Sequence, residues 1–97
     1  MSNICNNELH VQSEHKENIQ YVKTFIDNNF HCFVDEIDDD YLCIEFDSSW
    51  DFPIDKMDEL YKGIPFKDDI NMHCLSVEWG NSYCEFHSCT STGWTLD

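Results

Sequence analysis

The chain has 97 residues and a formal net charge of −15, from 20 Asp and Glu against 5 Lys and Arg, with a hydrophobic fraction of 41%. Arginine does not occur, so cations to neutralise phosphates or an anionic membrane surface are scarce, and neither nucleic acid nor membrane is expected as a direct partner. No apolar run of roughly 18 residues exists to span a bilayer, and the composition predicts a single domain, residues 1–97, with a modest core.

The opening MSNICNNELH lacks the basic and apolar regions of a signal peptide, which predicts a cytoplasmic protein. Residues 4–12 alternate weakly, with Leu9 and Val11 on one side, and predict a first strand. Ser13 followed by Glu14 and Glu17 is a helix start: a capping hydroxyl, then acids in the first turn. Ile19, Val22, Phe25 and Ile26 then mark one stripe of a helix from His15 to Asp27. Asn28-Asn29 ends it, because Asn tolerates the left-handed conformation of a helix C-terminus.

Phe30 to Ile37 predicts a second strand, with Phe30, Cys32 and Val34 alternating against His31, Phe33 and Asp35. Asp38-Asp39-Asp40 is a turn joining it to a third strand, Tyr41 to Asp47, in which Leu42, Ile44 and Phe46 oppose Tyr41, Cys43, Glu45 and Asp47. Ser48-Ser49-Trp50-Asp51-Phe52-Pro53 breaks that strand, since proline cannot donate to a ladder. The period then becomes helical, with Ile54, Met57, Leu60 and Tyr61 in a helix closed by Lys62-Gly63. Asn71 to Trp79 is a strand, with His73, Leu75, Val77 and Trp79 on one face and Met72, Cys74, Ser76 and Glu78 on the other. Gly80-Asn81 turns it into a last strand, Ser82 to Cys89, with Cys84 and Phe86 inward. Thr90 to Asp97 reads as a tail pinned by Trp94. The order β-α-β-β-α-β-β predicts an α+β fold: a ferredoxin-like split β-α-β, an antiparallel sheet of four to five strands with two helices on one face.

The six cysteines are Cys5, Cys32, Cys43, Cys74, Cys84 and Cys89. Without a secretion signal they are expected to stay reduced, several packed as small hydrophobes. His31-Cys32, His73-Cys74 and Cys84-Glu85-Phe86-His87-Ser88-Cys89 are the candidate metal ligands. Neighbours in a strand point to opposite faces and no Cys-x-x-Cys knuckle occurs, so neither metal nor cofactor is expected. Cys and His occur without a nucleophile elbow, and 3 glycines leave little for a phosphate-cradling loop. The chain is therefore not expected to be an enzyme. The basic and aromatic strand motif of sheet-based RNA readers is also missing.

Three stretches resemble one family. Met1-Ser-Asn-Ile-Cys-Asn-Asn-Glu-Leu-His-Val resembles the opening Met-Pro-Asn-Trp-Cys-x-Asn-x-Leu of small proteins with a YubB-type ferredoxin-like domain. Phe46-Asp-Ser-Ser-Trp50-Asp-Phe-Pro53 is similar to their strand-ending Phe-x-Thr-x-Trp-x-Pro-Pro, and Val77-Glu-Trp79-Gly80-Asn-Ser-Tyr83 to their late hairpin. The departures are Ile4 in place of Trp and Phe52 in place of the first Pro. The resemblance implies a protein carried by phages, plasmids and related mobile elements in a host bacterium, and brings no catalytic residues.

The remaining signal is an acid array: Asp35, Glu36, Asp38, Asp39, Asp40, Glu45, Asp47, Asp51, Asp55, Asp58, Glu59, Asp68 and Asp69. Such a run is ordinarily a solvated face. Spaced along a hairpin tip, a corner and a helix, these carboxylates could instead occupy a basic groove that normally holds RNA or DNA. Asp35, Glu36, Asp38, Asp39, Asp40, Glu45, Asp47 and Asp51 are the expected partner-binding acids, with Tyr41, Trp50 and Phe52 as anchors beside them. The expected function is an anti-CRISPR-type inhibitor of a host defence nuclease, such as a Cas effector. The alternatives are an immunity protein against a basic toxin nuclease and a non-catalytic accessory domain.

Overall fold

Alternation and helical spacing place the elements close to where the sequence puts them. The computed structural model describes residues 4–49, 52–78, 80, 83–90 and 93–96. The elements are β1 (Ile4–Gln12), α1 (Lys16–Asn29), β2 (Cys32–Ile37), β3 (Tyr41–Ser49), α2 (Ile54–Lys62), β4 (Asn71–Glu78), β5 (Tyr83–Thr90) and β6 (Gly93–Leu96). The strands form one six-stranded sheet in the order β2-β3-β1-β4-β5-β6, with every neighbouring pair antiparallel.

The fold is thus α+β with two helices, as expected, but its sheet has six strands rather than four to five. The extra strand comes from the presumed tail. Gly93 sits at φ +99°, a conformation costly for other residues, and pairs with Thr90, so that Trp94 and Leu96 lie back along β5. Trp94 does pin this segment: its indole N–H donates to the Met57 carbonyl at 2.8 Å.

Strand pleat sends alternate residues to one core. Leu9 and Val11 of β1, Leu42, Ile44 and Phe46 of β3, and Met72 and Cys74 of β4 meet Ile19, Val22 and Ile26 of α1 and Met57 and Leu60 of α2. Both helices therefore cover the same sheet face. The phase of β5 is opposite to expectation. Cys84 is exposed and Phe86 is 41% exposed, whereas His87 and Cys89 are buried. The β4–β5 register causes this: Cys89 opposes Met72 and His87 opposes Cys74, so odd-numbered residues follow the buried face of β4. The Gly80-Asn81 turn and the strand start at Ser82 fall partly outside the described residues, as does Trp79.

The helix ends also differ from expectation. His15 occupies the N-cap of α1 without a capping side-chain bond, while the Ser13 hydroxyl accepts from the His15 N–H (3.1 Å) and donates to the Asp69 carbonyl (2.6 Å). Fully buried Asn18 completes this node. Its amide donates to the carbonyls of Phe66 (2.9 Å) and Asp69 (3.0 Å), and its oxygen accepts from the Phe66 N–H (3.0 Å). Such bonds fasten α1 to the α2–β4 connection, and each buried polar group left alone there would cost about 1–3 kcal/mol. Asn29 closes α1 with its side chain, donating to the Phe25 carbonyl at 2.8 Å, and Phe30 beyond it is extended. Gly63 caps α2 as expected, its N–H donating to the Leu60 carbonyl at 3.2 Å, with φ −93°. A Cβ there would overlap the Tyr21 hydroxyl, which would have to move aside.

Candidate functional site

With both helices on one side, the opposite sheet face presents the other half of each strand, and antiparallel register sets its side chains in rows. One row runs Glu36, Cys43, His10, His73, Ser88 across β2, β3, β1, β4 and β5. The next runs Phe33, Glu45, Glu8, Leu75, Phe86. Phe33 is 58% exposed and Leu75 is 38% exposed. The β4–β5 half is neutral, with His73 stacked on Phe86 at 5.6 Å and hydrogen-bonded to Ser88 at 3.1 Å. The β2–β3–β1 half is acidic.

Glu8 and Glu45 oppose each other directly, a pairing of like charges that a sheet ordinarily avoids. A bulge between Val34 and Glu36 turns Asp35 toward them. Its carboxylate lies 3.8 Å from the Cys43 thiol, and its charge is the foremost cause holding the Glu45 carboxyl above its ordinary range, followed by desolvation and Glu8. Burial, then Asp35 and Glu8, push the Cys43 thiol up to about 11. His10 lies between the acids: Nε2 is 2.8 Å from Glu8 Oε1 and 3.9 Å from Cys43 Sγ, and Nδ1 is 2.7 Å from the Tyr41 hydroxyl. The Glu8, His10 and Cys43 donor atoms lie within 4.8 Å of one another.

The acid surface continues round the end of the sheet. The Asp38 N–H donates to the Tyr41 carbonyl (2.8 Å) and the Asp39 N–H to the Asp38 carboxylate (2.8 Å), which fixes the hairpin tip with all three aspartates exposed. The Ser13 N–H donates to the Asp40 carbonyl at 3.1 Å and brings the tip against the β1–α1 turn. Shallow grooves there are lined by Asp38, Asp39 and Asp40 with Glu14 and Glu17, and by Asp40 with Asp68 and Asp69. Lys16 and His15 are the basic residues lining them. Asp69 is engaged by His15 at 2.6 Å, which holds its carboxyl below the usual range.

Of the expected binding residues, Asp35, Glu36, Glu45 and Asp47 therefore share the sheet face with Tyr41, and Asp38, Asp39 and Asp40 form its tip. Asp55, Asp58 and Glu59 do not join them. They are exposed on α2, in the helix layer, where Glu59 neighbours Tyr21 and Asp58 acts on Cys89. Phe52 is a core residue rather than a contact anchor: it is 4% exposed, stacked on His87 at 3.8 Å and edge-on to Trp94 at 5.3 Å. Phe52 precedes the Pro53 N-cap of α2, and an apolar ring at this corner gains more from the core than from solvent. Trp50 and Asp51 lie outside the described residues. Sequence reasoning passed over Glu8 and His10. The available signal was their i, i+2 spacing on one strand face; their link to Cys43 depends on the β1–β3 register.

No helix among the described residues is long and apolar enough to cross a membrane. Cys32, Cys43, Cys74, Cys84 and Cys89 are thiols rather than disulfides. Compared with protein-family models, curated proteins and solved structures, the chain matches none.

Proposed function

We propose that the protein is a non-catalytic inhibitor that lays an acidic ridge into the basic, nucleic-acid-binding groove of a host defence nuclease such as a Cas effector. The observation that carries this reading is the continuity of carboxylates from Asp47, Glu45 and Glu8 through Asp35 and Glu36 to the Asp38–Asp40 tip, with Glu14, Asp68 and Asp69 beyond it. Adjacent strands lie about 4.8 Å apart, so carboxylates on neighbouring strands approach the charge density of a nucleic-acid strand, roughly one per 3.4 Å. Such a ridge would displace the counterions that a nucleic acid displaces and would be steered by the opposite field. Tyr41 and Phe33 supply apolar area beside the acids. Mobile-element origin rests on the motif resemblance, and the ferredoxin-like reading on the order β2-β3-β1-β4 of the first four strands, which β5 and β6 extend.

Charge reversal tests it. Asp38→Lys, Asp39→Lys and Asp40→Lys together should abolish binding to a candidate effector in size-exclusion runs with and without guide RNA, with the circular dichroism spectrum unchanged. Binding that survives the triple variant, or that is as tight in about 0.5 M salt, where screening is short-ranged, rules the electrostatic reading out.

A further inference from the structure

We propose that Glu8, His10 and Cys43 bind one thiophilic divalent cation, with zinc the best match to their donors, replacing the expectation of no metal. This inference is independent of the inhibitor reading. Acidic side chains alone gather on many surfaces without an ion. Here three different ligand types converge: a carboxylate oxygen, an imidazole nitrogen and a sulfur, all within 4.8 Å. Their backbone positions are fixed by the sheet, since Glu8 and His10 are alternate residues of β1 and Cys43 opposes His10 in β3.

The distances suit a tetrahedral ion. With bonds of about 2.0 Å to N and O and about 2.3 Å to S, donors sit roughly 3.3–3.5 Å apart. The pairs here are 2.8 Å (Glu8 to His10), 3.9 Å (His10 to Cys43) and within 4.8 Å (Glu8 to Cys43), so side-chain shifts of roughly an ångström or less reach that geometry. The imidazole is oriented from behind, as metal-bound histidines are: Nδ1 lies 2.7 Å from the Tyr41 hydroxyl, which can accept its proton and leave the Nε2 lone pair to the ion. The bulge brings Asp35 Oδ2 to 3.8 Å from Cys43 Sγ, but Asp35 stands outside the converging group, so solvent supplies the fourth ligand. Glu36 and Glu45, opposite Cys43 and Glu8, raise the local cation concentration. A thiolate ligand selects against Ca²⁺ and Mg²⁺, which take oxygen. Binding forms a metal–sulfur bond and releases the Cys43 proton to solvent, with no redox step.

Cobalt(II) titration of the reduced full-length protein, followed by zinc displacement, tests this. The expected result is one equivalent of Co²⁺ with a thiolate-to-cobalt charge-transfer band that Zn²⁺ abolishes. Cys43→Ser should lose the band, His10→Gln and Glu8→Gln should weaken binding at least tenfold, and Tyr41→Phe should weaken it about tenfold while keeping the band. Cys84→Ser, which removes an exposed thiol outside the cluster, should change nothing. No saturable binding by the native chain, or a band that persists in Cys43→Ser, overturns the proposal. Should Cys43→Ser fail to fold, the surface variants decide: native affinity in both His10→Gln and Glu8→Gln overturns it equally.

Discussion

The Cys32, Cys43, Cys74 and Cys89 thiols hold their protons more tightly than a free cysteine does. Cys74 and Cys89 are pushed up to about 12, chiefly by burial. Cys32 and Cys43 rise to about 11, through burial first and then through Asp27 and Asp35 respectively. The unfolded chain loses these protons near the ordinary value of 9.0, before the folded chain does. The stability they contribute is therefore fully present below about pH 9 and is lost as pH rises toward 11–12. Melting temperature followed by circular dichroism should be level up to about pH 9 and then fall; a level curve to pH 12 would contradict the assigned environments. Exposed Cys84 should be the first thiol alkylated, with Cys74 and Cys89 protected until unfolding. Asp69 carries the opposite sign: its lowered carboxyl stabilises above its unfolded pKa, and that contribution disappears as pH falls through the folded value.

At the scale of elements, the β3–α2 corner shows where local pattern stops informing. Pro53 and the change of period announce a strand ending and a helix beginning, and the structure has both. The direction of the Phe52 ring depends instead on β5 and β6, which bring His87 and Trp94 to it. Phe52→Ala should destabilise the fold by about 3–4 kcal/mol, as removal of a buried aromatic does, measured by urea denaturation. Partner affinity of the fraction that remains folded should be unaffected. A variant with native stability but weakened binding would restore Phe52 to the surface role that its place beside the acids suggested. The same logic covers β5, whose own sequence favours burying Phe86 until pairing with β4 selects His87 and Cys89.

For the molecule as a whole, a net charge of −15 is a standing repulsion. The ion pairs Lys23–Asp27 (2.7 Å) and Lys56–Glu59 (3.6 Å) lie on the helix surfaces, where such pairs contribute little. The Debye length shortens from about 10 Å at 0.1 M salt to about 3 Å at 1 M, so added sodium chloride should raise the melting temperature while weakening any basic partner's grip. A melting temperature that falls with salt would mean that attractive pairs outweigh the repulsion.

The sequence alone determined the order of the elements from β1 to β5, the α+β class, the strands with two unlike faces and the sign of the surface, because periodicity, turn chemistry and charge are local properties. Tertiary structure decided what meets across strands. It turned a presumed tail into β6, reversed the phase of β5, separated the α2 acids from the ridge and brought Glu8, His10 and Cys43 to one point. Cys43 is 33 residues from His10 along the chain. Their meeting is fixed by backbone hydrogen bonds between β1 and β3, and a shift of that register by a single residue would turn Cys43 to the opposite face.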